Sequence, residues 1–184
     1  MDRLGASILA LLAVLVAGLI FLKNGPSSAG RPAPRMTLAI PASPIETAAS
    51  SNVRIIDGDT IVVDGEHMRL FGIDAPEKGQ ICTMNGQPQR CGPMATEALR
   101  RFIGNGPVTC ERRSNDRYGR TVAVCSAAGR DLGREMVHSG WAIAFVRYSN
   151  EYVEDENRAR VSRRGLWEGQ FERPEQWRAE RRAR

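Results

Sequence analysis

Three short stretches of the chain hold the side chains able to do chemistry: Ile56-Asp57-Gly58-Asp59-Thr60, Arg69-Leu70-Phe71-Gly72-Ile73-Asp74-Ala75-Pro76-Glu77, and Asp116-Arg117-Tyr118-Gly119-Arg120. The first two supply Asp59, Asp74 and Glu77, three acids placed at a bend or a strand end. Carboxylate oxygens without His or Cys suit a hard cation such as Ca²⁺ or Mg²⁺. The chain has 2 His, His67 and His138, far apart and not in metal-ligand spacing, so zinc-based chemistry is excluded. Asp57 reads as the residue that orders the acidic bend. Arg69 lies on the strand entering the site and Arg120 ends a Gly-containing turn. Two guanidinium forks beside a carboxylate-bound cation make a receptor for a phosphodiester.

The elements that must position these groups read as strands first and helices later. Val53 to Ile56 and Thr60 to Val63 are β-branched runs, Asp64-Gly65 is a hairpin turn signal, and His67 to Ile73 alternates as a third strand. Pro93 opens a helix, Met94 to Ile103, that Gly104 stops. Val108 to Cys110 and Thr121 to Cys125 form a second hairpin. Leu132 to His138 is a short helix ended by Gly140, and Glu151 to Arg164 a longer polar one ended by Gly165. The expected class is mainly β with appended helices (α+β), a five-stranded OB-type barrel with about three helices.

The chain's 184 residues suffice for one ordinary domain, and their net charge of +5 suits an anionic partner. Gly5 to Leu22 is an uncharged apolar run. As a helix it would be about 27 Å long, near the hydrocarbon thickness of a bilayer. Residues 1–23 therefore read as a transmembrane anchor or signal segment, 24–52 as a Pro/Ala/Ser-rich tether, 53–168 as the domain, and 169–184 as an Arg-rich tail. Arg3 alone precedes the apolar run whereas Lys23, Arg31 and Arg35 follow it, which by charge places the domain in the cytoplasm. The 4 cysteines argue the other way, since an even count without C-x-x-C spacing reads as two disulfides in an oxidising compartment. The simplest pairing is sequential: Cys82 with Cys91 across a polar loop, Thr83 to Arg90, and Cys110 with Cys125 across the hairpin. Four reduced thiols in a cytoplasmic protein is the alternative. The expected location is extracytoplasmic, membrane-anchored, or secreted if the first segment is cleaved. From Arg158 to Arg184 there are 9 Arg against 4 Glu, either a solvated helix face or a phosphate-tracking surface.

In the order found here, the three motifs make the chain from about Val53 to Trp167 resemble the staphylococcal nuclease (thermonuclease) family. The resemblance implies an OB barrel and Ca²⁺-dependent hydrolysis of DNA and RNA that leaves a 3′-phosphate and a 5′-hydroxyl. It implies that Asp59, Asp74 and the backbone carbonyl of Ala75 hold the metal. It makes Glu77 the general base, and Arg69 and Arg120 the groups that bind the scissile phosphate. Arg117, at a position usually held by Lys, Tyr118, and in a less clean alignment Tyr148, would bind substrate. The Cys82–Cys91 segment replaces a flexible substrate-side loop.

Two other functions fit a tethered barrel: a catalytically silent module binding single-stranded nucleic acid, and an envelope interaction scaffold. The presence of all five acids and arginines favours the enzyme. No protein partner is inferable, and the chain is expected to be a monomer.

Overall fold

In the computed structural model, the structure describes residues 49–183. The apolar run Gly5 to Leu22 and nearly all of the tether lie outside the described residues. Among those described, no helix is long and apolar enough to cross a membrane.

The main sheet has seven strands. Its pairing path runs β1 (Ala49–Ser50), β8 (Val108–Asn115), β9 (Thr121–Ala127), β4 (Glu66–Leu70), β3 (Thr60–Val63) and β2 (Val53–Ile55), with β10 (Arg130–Asp131) added to β9. Ala49–Ser50, read from sequence as the end of the tether, pairs with β8 instead. Hairpin β3–β4 turns at Asp64-Gly65 with φ of 51° and 86°, the left-handed pair that an Asp-Gly loop favours. The fold is mostly β and OB-like. Among the described residues four helices, against about three expected, stand around the sheet: α1 (Cys91–Ile103), α2 (Leu132–His138), α3 (Val153–Val161) and α4 (Pro174–Arg182), with a short 3-10 turn at Gly165–Glu168. Ile61, Leu70, Leu99, Val108, Val137 and Met136 are buried together as one core between sheet and helices.

Three local expectations change. The strand read over His67 to Ile73 breaks after Leu70, because Gly72 takes φ +70° against the Tyr152 ring. The chain then leaves the main sheet, and β5 (Ile73–Asp74) pairs with β11 (Ile143–Ala144). Helix α1 starts at Cys91, not Met94. Pro93 stands within the first turn, where a helix has no use for its missing N–H. The polar loop Thr83 to Arg90 is a hairpin, β6 (Ile81–Met84) with β7 (Gln87–Arg90), turning on Asn85-Gly86 with φ of 51° and 73°.

Both disulfides are present, Cys82–Cys91 and Cys110–Cys125. The first ties the β6–β7 hairpin to the start of α1. The second joins directly paired residues of β8 and β9.

Candidate active site

Asp59 ends the acidic bend. Asp57 Oδ1 accepts the Asp59 backbone N–H at 3.1 Å, so Asp57 orders the turn. Burial, then the neighbouring Asp59 charge, pushes the Asp57 carboxyl up to about 6. Gly58 permits the bend to lie against the next motif, since a Cβ there would sit 2.7 Å from Ala75 Cβ and 2.9 Å from Ala95 Cβ. Asp59 Oδ2 in turn accepts the Ala75 N–H at 2.9 Å. Two motifs sixteen residues apart are thereby fastened to each other.

Arg69 reaches both acids. Its Nη1 donates to Asp59 Oδ1 at 2.7 Å and its Nη2 to Asp74 Oδ1 at 2.9 Å. Burial opposes the Arg69 charge, but the two carboxylates outweigh it and hold its pKa above the usual value. The Asp74 side chain has no exposed surface. Burial raises its carboxyl above the usual range, against hydrogen bonding and charge from Arg178 and Arg69.

Glu77 follows on a turn held by Gln80. Gln80 is fully buried, its Oε1 accepts the Glu77 N–H at 3.2 Å, and its own N–H donates to the Glu77 carbonyl at 2.8 Å. Gly92 in the first turn of α1 packs on the Glu77 backbone so closely that a Cβ would collide with the Glu77 carbonyl oxygen. Gly92→Ala is therefore expected to destabilise the protein by about 1–3 kcal/mol, as overpacking does, and to displace Glu77. Thermal denaturation together with turnover checks this; wild-type values for both would refute the contact.

Arg120 enters from the main sheet. Strand β9 runs parallel to β4 with Thr121 opposite Met68, which brings Arg120 to the end of the strand that carries Arg69. Asp116 clamps it: Oδ2 accepts Arg120 Nε at 2.7 Å and Oδ1 accepts the backbone N–H groups of Tyr118 and Arg120. Although burial opposes it, these bonds hold the Asp116 carboxyl below the usual range. Arg120 lines the same cleft, of about 940 Å³, as Asp59, Arg69, Ala75 and Glu77. Arg120 forms its ion pair with Asp116 and not with the three acids.

Arg117, Tyr118 and Tyr148, the residues expected to bind substrate, are exposed. Tyr118 is stacked under Arg117 and Arg120, with guanidinium-to-ring distances of 4.8 Å and 5.6 Å. Tyr148 packs on Phe145, and Arg117, Tyr118 and Tyr148 all line the cleft. Trp141 packs between the two apolar clusters.

One residue of the site had not been singled out. Arg178, on α4, donates from Nη1 and Nη2 to the two oxygens of Asp74 at 2.9 Å and 2.8 Å, and from Nη1 to Glu77 Oε1 at 2.7 Å. Burial lowers its pKa, yet hydrogen bonds to Asp74 and Glu77 outweigh that and raise it. The chain before α4 docks through a bridge of Gln170 to Thr83 on β6, and through Gln80 Nε2 donating to the Glu172 carbonyl at 2.6 Å. The tail thus forms a helix whose arginine enters the site, and Arg147 and Arg182 add charge to the cleft. Pro174 at the first helical position was the available sign of a helix here.

The site's donors are carboxylate and carbonyl oxygens, which match a hard divalent cation and not zinc or copper. Among the described residues no three His, Cys, Asp or Glu side chains converge as a ready-made cage. Guanidinium groups stand between the acids.

The family model described as "Staphylococcal nuclease homologue" matches residues 67–169. The chain is 37% identical over 135 residues to a succinoglycan biosynthesis protein, ExoI, of Rhizobium meliloti, covering 71% of this chain and 69% of the relative. It is 33% identical to a micrococcal nuclease of Shigella flexneri, covering 68% of this chain and 78% of the relative. It is 29% identical to a thermonuclease of Staphylococcus hyicus, covering 68% and 84%.

Proposed function

Because the chain belongs to the staphylococcal nuclease homologue family and is a hydrolytic nuclease, we propose that it cleaves phosphodiester bonds of DNA and RNA with Ca²⁺ as cofactor, by attack of a water that Glu77 deprotonates. The observation that carries this reading is that Asp59, Glu77, Arg69 and Arg120 line one arginine-rimmed cleft, to which the buried Asp74 is joined through Arg69. Asp59, Asp74 and the Ala75 carbonyl would hold the calcium ion, which when bound supplies positive charge to a phosphoryl oxygen.

The chain's own groups do the rest. Glu77 takes the proton of the attacking water. Arg120, held by Asp116, and Arg69, held by Asp59 and Asp74, donate to the phosphate as charge accumulates on it. Arg117, Tyr118 and Tyr148 receive the neighbouring part of the nucleotide strand. In-line attack opposite the 5′-oxygen breaks the P–O5′ bond, and the departing oxygen takes a proton from solvent, leaving a 3′-phosphate and a 5′-hydroxyl. The reading extends to a membrane-anchored or exported protein acting outside the cytoplasm, supported by the two disulfides, which persist in oxidising compartments.

Incubation of the full chain with plasmid DNA and with RNA is expected to cleave both in millimolar Ca²⁺ and neither after chelation. Cleavage that persists in chelator would overturn the metal requirement. Binding without cleavage would instead indicate a silent nucleic-acid-binding module.

A further inference from the structure

The most buried acid of the site is covered by the protein's own cations. Asp74 is inaccessible, and both of its oxygens are taken by Arg178, with Arg69 sharing Oδ1. A metal ion needs lone pairs of that carboxylate. It would also stand within a few ångströms of a like charge if both guanidinium groups stayed in place.

The two arginines are not equally free to leave. Arg69 is carried by a central strand of the main sheet, is 16% exposed, and also holds Asp59 and the Ile73 carbonyl. Arg178 is 26% exposed, stands on the last helix, and holds Asp74 and Glu77 alone. Helix α4 has separate moorings at Glu172, through Gln80, and at Trp177, which lies against Gly79. The Arg178 side chain can therefore swing without the helix undocking.

We propose that Arg178 is the resident counter-cation of this site: it bridges Asp74 and Glu77 in the metal-free protein, and must withdraw from Asp74 before a divalent cation can bind there. The proposal rests on the calcium reading above and adds a residue and a competition to it. Without Arg178, Asp74 keeps only Arg69 and Glu77 loses its ion-pair partner. With it, both acids are paired until metal arrives. Arg178 remains tied to Glu77 after leaving Asp74, so it is a positioning residue for that acid.

The test is calcium binding by titration calorimetry on the full-length protein, wild type against Arg178→Gln, without substrate. Apparent affinity falls by the fraction of molecules whose site is open, so an arginine docked in about nine-tenths of them weakens binding about tenfold. Arg178→Gln is expected to bind Ca²⁺ about tenfold tighter than wild type. It is also expected to melt at a lower temperature without metal and to gain more on adding it. Arg178→Lys, which keeps the charge but loses the two-pronged contact, should fall between. It serves as the readout should the Gln variant not fold. Equal or weaker binding in the variants would show Arg178 to be a structural tie and overturn the competition, leaving the calcium reading intact. No binding by wild type or variants would overturn both.

Discussion

Replacing Glu77 by Gln is expected to lower turnover of a nucleic-acid substrate by about 10²–10⁴-fold, the contribution typical of a positioned general base, with little change in KM. Gln is nearly isosteric, and the turn that carries residue 77 is held through its backbone by Gln80 and Gly92 rather than through its carboxylate. Arg178 Nη1, 2.7 Å from Glu77 Oε1, can donate to an amide oxygen in its place. Fold and substrate binding should survive while proton abstraction is lost. Single-turnover kinetics in saturating Ca²⁺, with circular dichroism as the folding control, check this. Turnover within about threefold of wild type would remove Glu77 from the chemistry.

Arg120→Lys should cost about 10²–10³ in turnover although the charge is kept, the loss seen when one donor to a developing oxyanion is removed. The guanidinium presents a planar fork, and Asp116 holds that plane through Nε and Nη2 at 2.7 Å, on a turn whose backbone is tied to the same carboxylate. A lysine ammonium is a point charge that cannot both lie in the Asp116 clamp and meet phosphate with two parallel bonds. An Arg120→Lys protein of wild-type kcat would mean that the clamp serves the turn alone.

The candidate site residues were legible because each motif is local. Asp57-Gly58-Asp59 must bend, and Asp116 and Gly119 must turn. The Arg69 pairing with Asp74, five residues on, is not of that kind: on an unbroken strand the two would face opposite sides, and the break at Gly72 brings them together. The β6–β7 hairpin was missed although Asn85-Gly86 is a strong turn signal, because β7 is exposed along its whole length and offers no alternation to read. The break after Leu70 was missed for the opposite reason. Its apolar residues continue through Ile73, and what divides them is a positive φ at Gly72, opposite a tyrosine eighty residues away.

Arg178 marks the boundary between the two kinds of information. By itself the amino-acid sequence determined which groups this protein brings to its chemistry, an all-oxygen set of acids with arginines beside them, because side-chain type and short-range turn geometry are carried by neighbouring residues. The parallel pairing of β9 with β4, which sets Arg120 by Arg69, and the docking of α4, which lays a third arginine across Asp74 and Glu77, were decided by the tertiary structure. These contacts join segments separated by about fifty to a hundred residues. Packing of a common core selects them, and no periodicity or spacing within either segment records the partner.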